Sequence, residues 1–159
     1  MIELISNAVT SYTIFLRLIM SQFTIFFDGR CPLCVNEMQH LDKLDRANKL
    51  HFFDIHNERL HELHPEIEFD KANRFLHGKL DSGQLLYGLD VTHRAWNMVG
   101  KGMWVAPLRW FWLKPIADKV YLGFAKHRFR ISRLLTGQQR CEQSCDIKLH
   151  DKREGRGEE

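Results

Sequence analysis

The sequence predicts an α/β domain: a central mixed four-stranded sheet flanked by helices, with extra helices toward the C-terminus. Three observations predict it. Phe23-Thr24-Ile25-Phe26-Phe27 is a short run rich in aromatic and β-branched residues, as a buried strand requires. An amphipathic stretch over residues 32–48 follows it directly. Further on, a Gly-containing turn separates two more strand-like runs between residues 74 and 88.

Each element has its own reason. Residues 32–48 place Leu33, Cys34, Met38, Leu41 and Leu44 near helical spacing, with Asn36, Glu37, Gln39, Asp42, Lys43 and Asp45 elsewhere. Residues 51–55 read as a second strand. Asn57 suits the cap of a short helix with Leu60 and Leu63 inward, ending near Pro65. Residues 74–80 and 84–88 read as a hairpin around Asp81-Ser82-Gly83. Asp90 suits the cap of a helix containing Ala95, Trp96 and Val99. The order β-α-β-α-β-β-α, with a parallel crossover and then an antiparallel hairpin, is a thioredoxin-like layout. Residues 100–135 add helices broken by Pro107 and Pro115.

The chain has 159 residues and is 44% hydrophobic, enough for one domain with a real core. Residues 22–140 form that domain with its helical extension, between an N-terminal extension (1–21) and a flexible, charged and Gly-containing tail (141–159). The first 19 residues read as an upstream extension or a misassigned start, with Met20 the natural beginning. They match a signal peptide poorly, because no Lys or Arg precedes Arg17 and no small-residue cleavage site follows. Net charge is +3 and the pI near 8.7, too mild to imply nucleic acid, and none is expected as a partner. Four cysteines in two close pairs are not the framework of a small secreted domain, so a reducing cytoplasm is the default compartment. No apolar run reaches the roughly 18–20 residues of a transmembrane helix.

Cys31-Pro32-Leu33-Cys34 falls at the first strand-to-helix turn. There, unpaired N–H groups and the macrodipole favour a Cys31 thiolate. In such surroundings a cysteine pKa falls from about 8.5 to roughly 3.5–7.5, and the thiolate is the nucleophile of disulfide exchange. Pro32 suits the first helical position, although it removes one donor from the thiolate. CxxC also occurs in zinc sites, but Val35 in place of His rules out a haem-attachment motif. The Cys-Pro-X-Cys order is similar to that of glutaredoxins and of the oxidant DsbA. Their potentials, about −200 to −230 mV and about −120 mV, leave the direction of electron flow open.

Residues 26–34, Phe-Phe-Asp-Gly-Arg-Cys-Pro-Leu-Cys, resemble the DGxCPxC signature of the DCC family (DUF393) of thiol–disulfide oxidoreductases. The similarity runs on through Phe53-Asp54-Ile55, Asp81-Ser82-Gly83 and Tyr87-Gly88 to Tyr121, Ala125, Arg128 and Arg130. It implies a thioredoxin-like fold and a redox role. Thioredoxins place a cis-proline before their third strand, whereas residues 70–74 hold none and Pro65 is too early. Substrate docking should therefore differ.

Cys31 is the expected nucleophile, at an exposed helix start, and Cys34 the resolving thiol, one turn in and more buried. Asp28 is either the acceptor of the Cys34 proton or a turn residue of the Asp-Gly pair. Gly29 is expected to supply a backbone conformation that other residues resist, and Arg30 either lends charge to the thiolate or faces solvent. On a helix, Cys141 and Cys145 would share a face. They would serve as a redox relay, a stabilising disulfide, half of a zinc site, or plain thiols. His56, His61 and His64 read as a solvated face, with no HExxH pattern. Residues 103–113 read as aromatic core packing over the sheet, or else as an exposed groove. Lys114, Lys119, Lys126, Arg128, Arg130, Arg133 and Arg140, against Asp118 alone, read as a solvated basic face.

The expected chemistry is thiol–disulfide exchange with no metal and no cofactor beyond the redox-active disulfide. The expected partners are a disulfide-containing protein or small thiol, and a reductant. Two classes compete with it. One is a thioredoxin-like binding module docking a membrane surface or protein through the aromatic-basic C-terminal region. The other is a four-cysteine zinc protein.

Overall fold

The computed structural model describes residues 22–145 apart from Phe111 and Gln143. The extension over 1–21 and the tail beyond 145 lie outside the described residues. The sheet has the order β2-β1-β3-β4. Strand β1 (Phe23–Phe27) pairs parallel with β2 (Leu50–Asp54) and antiparallel with β3 (His77–Leu80), which pairs antiparallel with β4 (Leu85–Tyr87). This is the thioredoxin-like α/β arrangement that the sequence predicts. β3 starts three residues later than the run 74–80, and β4 is one residue shorter at each end than the run 84–88.

β1 is apolar on both faces because both faces are covered. Phe23, Ile25 and Phe27 point to one side, into a cluster with Val35, Met38 and Leu41 of α1 (Pro32–Leu44) and Val91 and Ala95 of α4 (Leu89–Met98). Phe26 points to the other side, against Ile55, Leu60 of α2 (Leu60–Leu63), Ile67 and Ala72 of α3 (Phe69–Ala72). The α4 helix starts one residue before Asp90, with Gly88 as its cap, and Asp90 sits in the first turn. Asn57 accepts from the Arg59 N–H just ahead of α2 rather than capping it directly.

Beyond α4 come a single helical turn, α5 (Gly102–Val105), a 3-10 turn (Ala106–Arg109) and the long α6 (Lys114–Thr136). Pro115 opens α6, and Gly137 ends it in the left-handed conformation with φ 76°. The core reading of residues 103–113 is corrected here. Met103, Trp104, Trp110 and Trp112 are exposed, Trp104 to 80% and Trp112 to 81%. The two short elements break before either can lay a face across the sheet, whose two sides are already filled. Ile116 and Val120 continue the exposed apolar surface along α6. Among the described residues no helix is long and apolar enough to cross a membrane.

Candidate active site

The site forms where β1 ends and α1 begins. Cys31 is itself the N-cap of α1, in extended conformation (φ −98°, ψ 106°), and Pro32 takes the first helical position. The Cys31 sulfur accepts from the Cys34 N–H at 3.4 Å and from the Cys34 thiol at 2.8 Å. Both residues are free thiols. The Cys34 thiol donor is the main reason the Cys31 pKa is lowered from 9.0 to about 7; burial opposes the shift, and the Cys34 N–H and the Arg128 charge reinforce it. The same hydrogen bond, together with burial, pushes the Cys34 thiol well up. The two groups thus separate into a thiolate and a thiol.

Exposure runs opposite to the sequence expectation. Cys31 has 0% of its surface exposed, while Cys34 is partly exposed. Over a hundred residues later the chain comes back to this motif. After Gly137 the chain leaves the helical path and returns to the loop before Cys31. The Cys141 N–H donates to the Arg30 carbonyl at 3.0 Å and the Cys145 N–H to the Gly29 carbonyl at 2.8 Å. The Ser144 hydroxyl donates to Asp54 Oδ2. Cys141 and Cys145 therefore do not lie on a helix. They are joined in a disulfide with a Cα–Cα distance of 5.5 Å. This bond removes two of the thiolates that a four-cysteine zinc site needs. No group of three or more potential metal ligands gathers among the described residues.

Asp28 is buried, and both its carboxylate oxygens are engaged. Oδ2 accepts from Arg128 Nη2 of α6 at 2.7 Å. Oδ1 lies 2.9 Å from His56 Nε2 and 3.0 Å from the Arg30 N–H that it accepts. Arg128 also donates to the Asn73 carbonyl and side chain. Two expectations change with this network. Arg128 is buried rather than part of a solvated face, and it, not Arg30, is the cation that acts on the two thiols. His56 is an inward partner of the acid, and His64 packs edge-on between Phe26 and Phe53; only His61 is exposed. Arg30 is half-buried, and its Nε has no hydrogen-bond partner among the described residues.

Gly29 is required for a different reason from the one its neighbours suggest. A Cβ there would lie 2.1 Å from Asp54 Oδ2, so close approach rather than an unusual φ excludes a side chain. Its N–H donates to Asp54 Oδ1 at 3.0 Å.

Beneath Cys34 a cavity of about 50 Å³ is lined by Asp28, Cys34, Glu37, Tyr121 and Arg128, among others. That is room for a water molecule or two. Burial pushes the Glu37 carboxyl up, with the Trp96 side chain partly offsetting it. Burial likewise pushes the Tyr121 hydroxyl up to about 12, and that oxygen accepts the Leu76 N–H at 3.0 Å. The backbone ahead of β3, which in thioredoxins carries the cis-proline, is thus tied to α6. Sequence reasoning missed His56, Glu37 and Tyr121 as site residues and misread Arg128. One signal pointed to α6: Tyr121, Ala125, Arg128 and Ser132 fall on one helical face, and none of them is exposed.

A family model described as DCC1-like thiol-disulfide oxidoreductase matches residues 25–134. An uncharacterized chloroplastic protein of Arabidopsis thaliana is 29% identical over 139 residues, which is 84% of this chain. The chain spans 62% of that relative's length. No solved structure matches the chain.

Proposed function

We propose, from the premise that the chain belongs to the DCC1-like thiol-disulfide oxidoreductase family, that it exchanges disulfides through Cys31 and Cys34. One observation carries the reading. The Cys31 sulfur caps α1, with the Cys34 N–H and thiol both directed at it and the Arg128 charge favouring its thiolate. In the proposed cycle the Cys31 thiolate attacks a substrate disulfide and forms a mixed disulfide, releasing one substrate sulfur as a thiolate. Cys34 then loses its proton, bonds to Cys31 and releases the second sulfur. The chain ends oxidised at Cys31–Cys34 and the substrate ends reduced.

The proton from Cys34 enters the cavity, where Glu37, one helical turn on, is the proposed acceptor. Asp28 was the acceptor expected from sequence. With its oxygens held by Arg128, His56 and the Arg30 N–H, it acts instead to position Arg128 near the thiols. No cofactor other than the cysteines enters the cycle. The partners are a disulfide-bearing protein or small thiol and a separate reductant. The compartment belongs to the same reading: cysteine usage favours the cytoplasm, and cell fractionation tests it against the plastid of the Arabidopsis relative.

Insulin reduction by the full chain, compared with Cys31→Ser, is the test. Loss of turnover to the uncatalysed rate is expected. Turnover that survives the substitution overturns the reading. A binding module that docks through the exposed Trp104 and Trp112 surface would instead show no turnover in either protein.

A further inference from the structure

The second cysteine pair has no part in that cycle, yet its position is not that of a passive staple. We propose that the Cys141–Cys145 disulfide is a second redox centre, reduced from within the chain by the Cys31–Cys34 dithiol. The proposal rests on the disulfide-exchange reading given above.

Three observations carry it. The two cysteines of the disulfide are the same residues whose N–H groups hold the segment down, one on the Arg30 carbonyl and one on the Gly29 carbonyl. Both ends of the oxidised loop are thus fixed on the two residues that precede Cys31. Asp54 adds a third tie, because its carboxylate accepts the Gly29 N–H and the Ser144 hydroxyl together.

The second observation is access. Cys31 has no exposed surface, whereas Cys141 and Cys145 are each half-buried. Cys145 also packs on the core cluster that holds Val35 and Met38 of α1. The third observation is the redox state: Cys31 and Cys34 are thiols while Cys141–Cys145 is oxidised. The segments that carry donor and acceptor are hydrogen-bonded neighbours in one chain.

The step balances without another reagent. The Cys31 thiolate attacks one sulfur of the Cys141–Cys145 bond. That bond breaks, a mixed disulfide forms, and the other sulfur leaves as a thiolate and takes up a proton. Cys34 gives up its proton, bonds to Cys31 and expels the second sulfur. Two electrons have then moved from the Cys31–Cys34 pair to the Cys141–Cys145 pair. Reduction also opens the cross-link between the two residues that tie the segment to the loop.

The experiment uses the full chain with Cys34→Ser, which stops the exchange at the mixed disulfide. Samples are held without reductant across a pH series, acid-quenched, alkylated and mapped by mass spectrometry. A peptide joining Cys31 to Cys141 or Cys145 within one chain, with the remaining cysteine alkylated, is expected, and it should accumulate faster as pH rises. Glutathione disulfide added in parallel separates the failures. If Cys31 captures glutathione while Cys141–Cys145 stays intact, the relay is overturned and the exchange reading stands. If Cys31 joins neither, both are overturned. Linkage between two chains in place of the internal one also overturns the relay.

Discussion

The two cysteine pairs differ by a single intervening residue, and the fold treats them in opposite ways. Cys31 and Cys34 sit on a rigid frame: a strand buried on both faces runs into a helix whose first cap is Cys31. Arg128 reaches them from α6, held by Asp28, which His56 also meets. Cys141 and Cys145 have no helix of their own and are held by backbone hydrogen bonds borrowed from the loop of the first pair. The first pair is two thiols of divergent acidity; the second is a closed bond. Surroundings, more than spacing, decide which cysteines are nucleophiles and which are bonded.

The comparison breaks most visibly at Arg128. Arg128→Met leaves Asp28 buried without its cation, and loss of one partner of such a pair costs about 3–5 kcal/mol. Urea unfolding should show this loss, and adding Asp28→Asn should recover part of it. An unchanged midpoint would mean that α6 does not support the first pair. Gly29→Ala strikes where the two pairs meet. The added methyl would push on Asp54, which holds both the loop and Ser144, and overpacking of this kind costs about 1–3 kcal/mol. Partial proteolysis should then cut residues 137–145 faster than in the parent chain; equal rates would detach the segment from Asp54.

The smallest effect is the most specific. The Cys31 pKa lies below its ordinary value, so its thiolate is lost as pH falls through about 7. Alkylation of the reduced chain should therefore plateau above that pH and slow below it. Arg128→Met removes a charge that favours the thiolate and should move the midpoint up. A parent midpoint at the ordinary 9.0 would erase the contrast between the pairs.

The strand, the helix start and Pro32 were legible because each depends on neighbours in sequence. Phe23 to Phe27 needs only its own composition to read as a strand, and the turn after Asp28 needs only Gly29. The hairpin was legible from Gly83 for the same reason. Arg128 was not, because its partner lies 100 residues away and a basic residue on a basic helix looks solvated until that partner is known. His56 hid likewise, because its partner Asp28 lies 28 residues away. The docking of residues 141–145 was illegible for the converse reason: composition alone assigns that segment to a tail, and nothing in it points to the Gly29 and Arg30 carbonyls that it meets. The aromatic run 103–113 misled because apolar composition does not reveal whether any core surface is left to cover.

The reach of Arg128 back to Asp28 also sets an order of events during synthesis. The dithiol exists as covalent chemistry once Cys34 has been made, on a strand that still lacks its partners. Its guanidinium arrives with α6, and the segment that docks on its loop arrives with Cys145. A nascent chain therefore carries two bare cysteines for most of the time it takes to be translated. They meet the Arg128 charge only when the last helix docks.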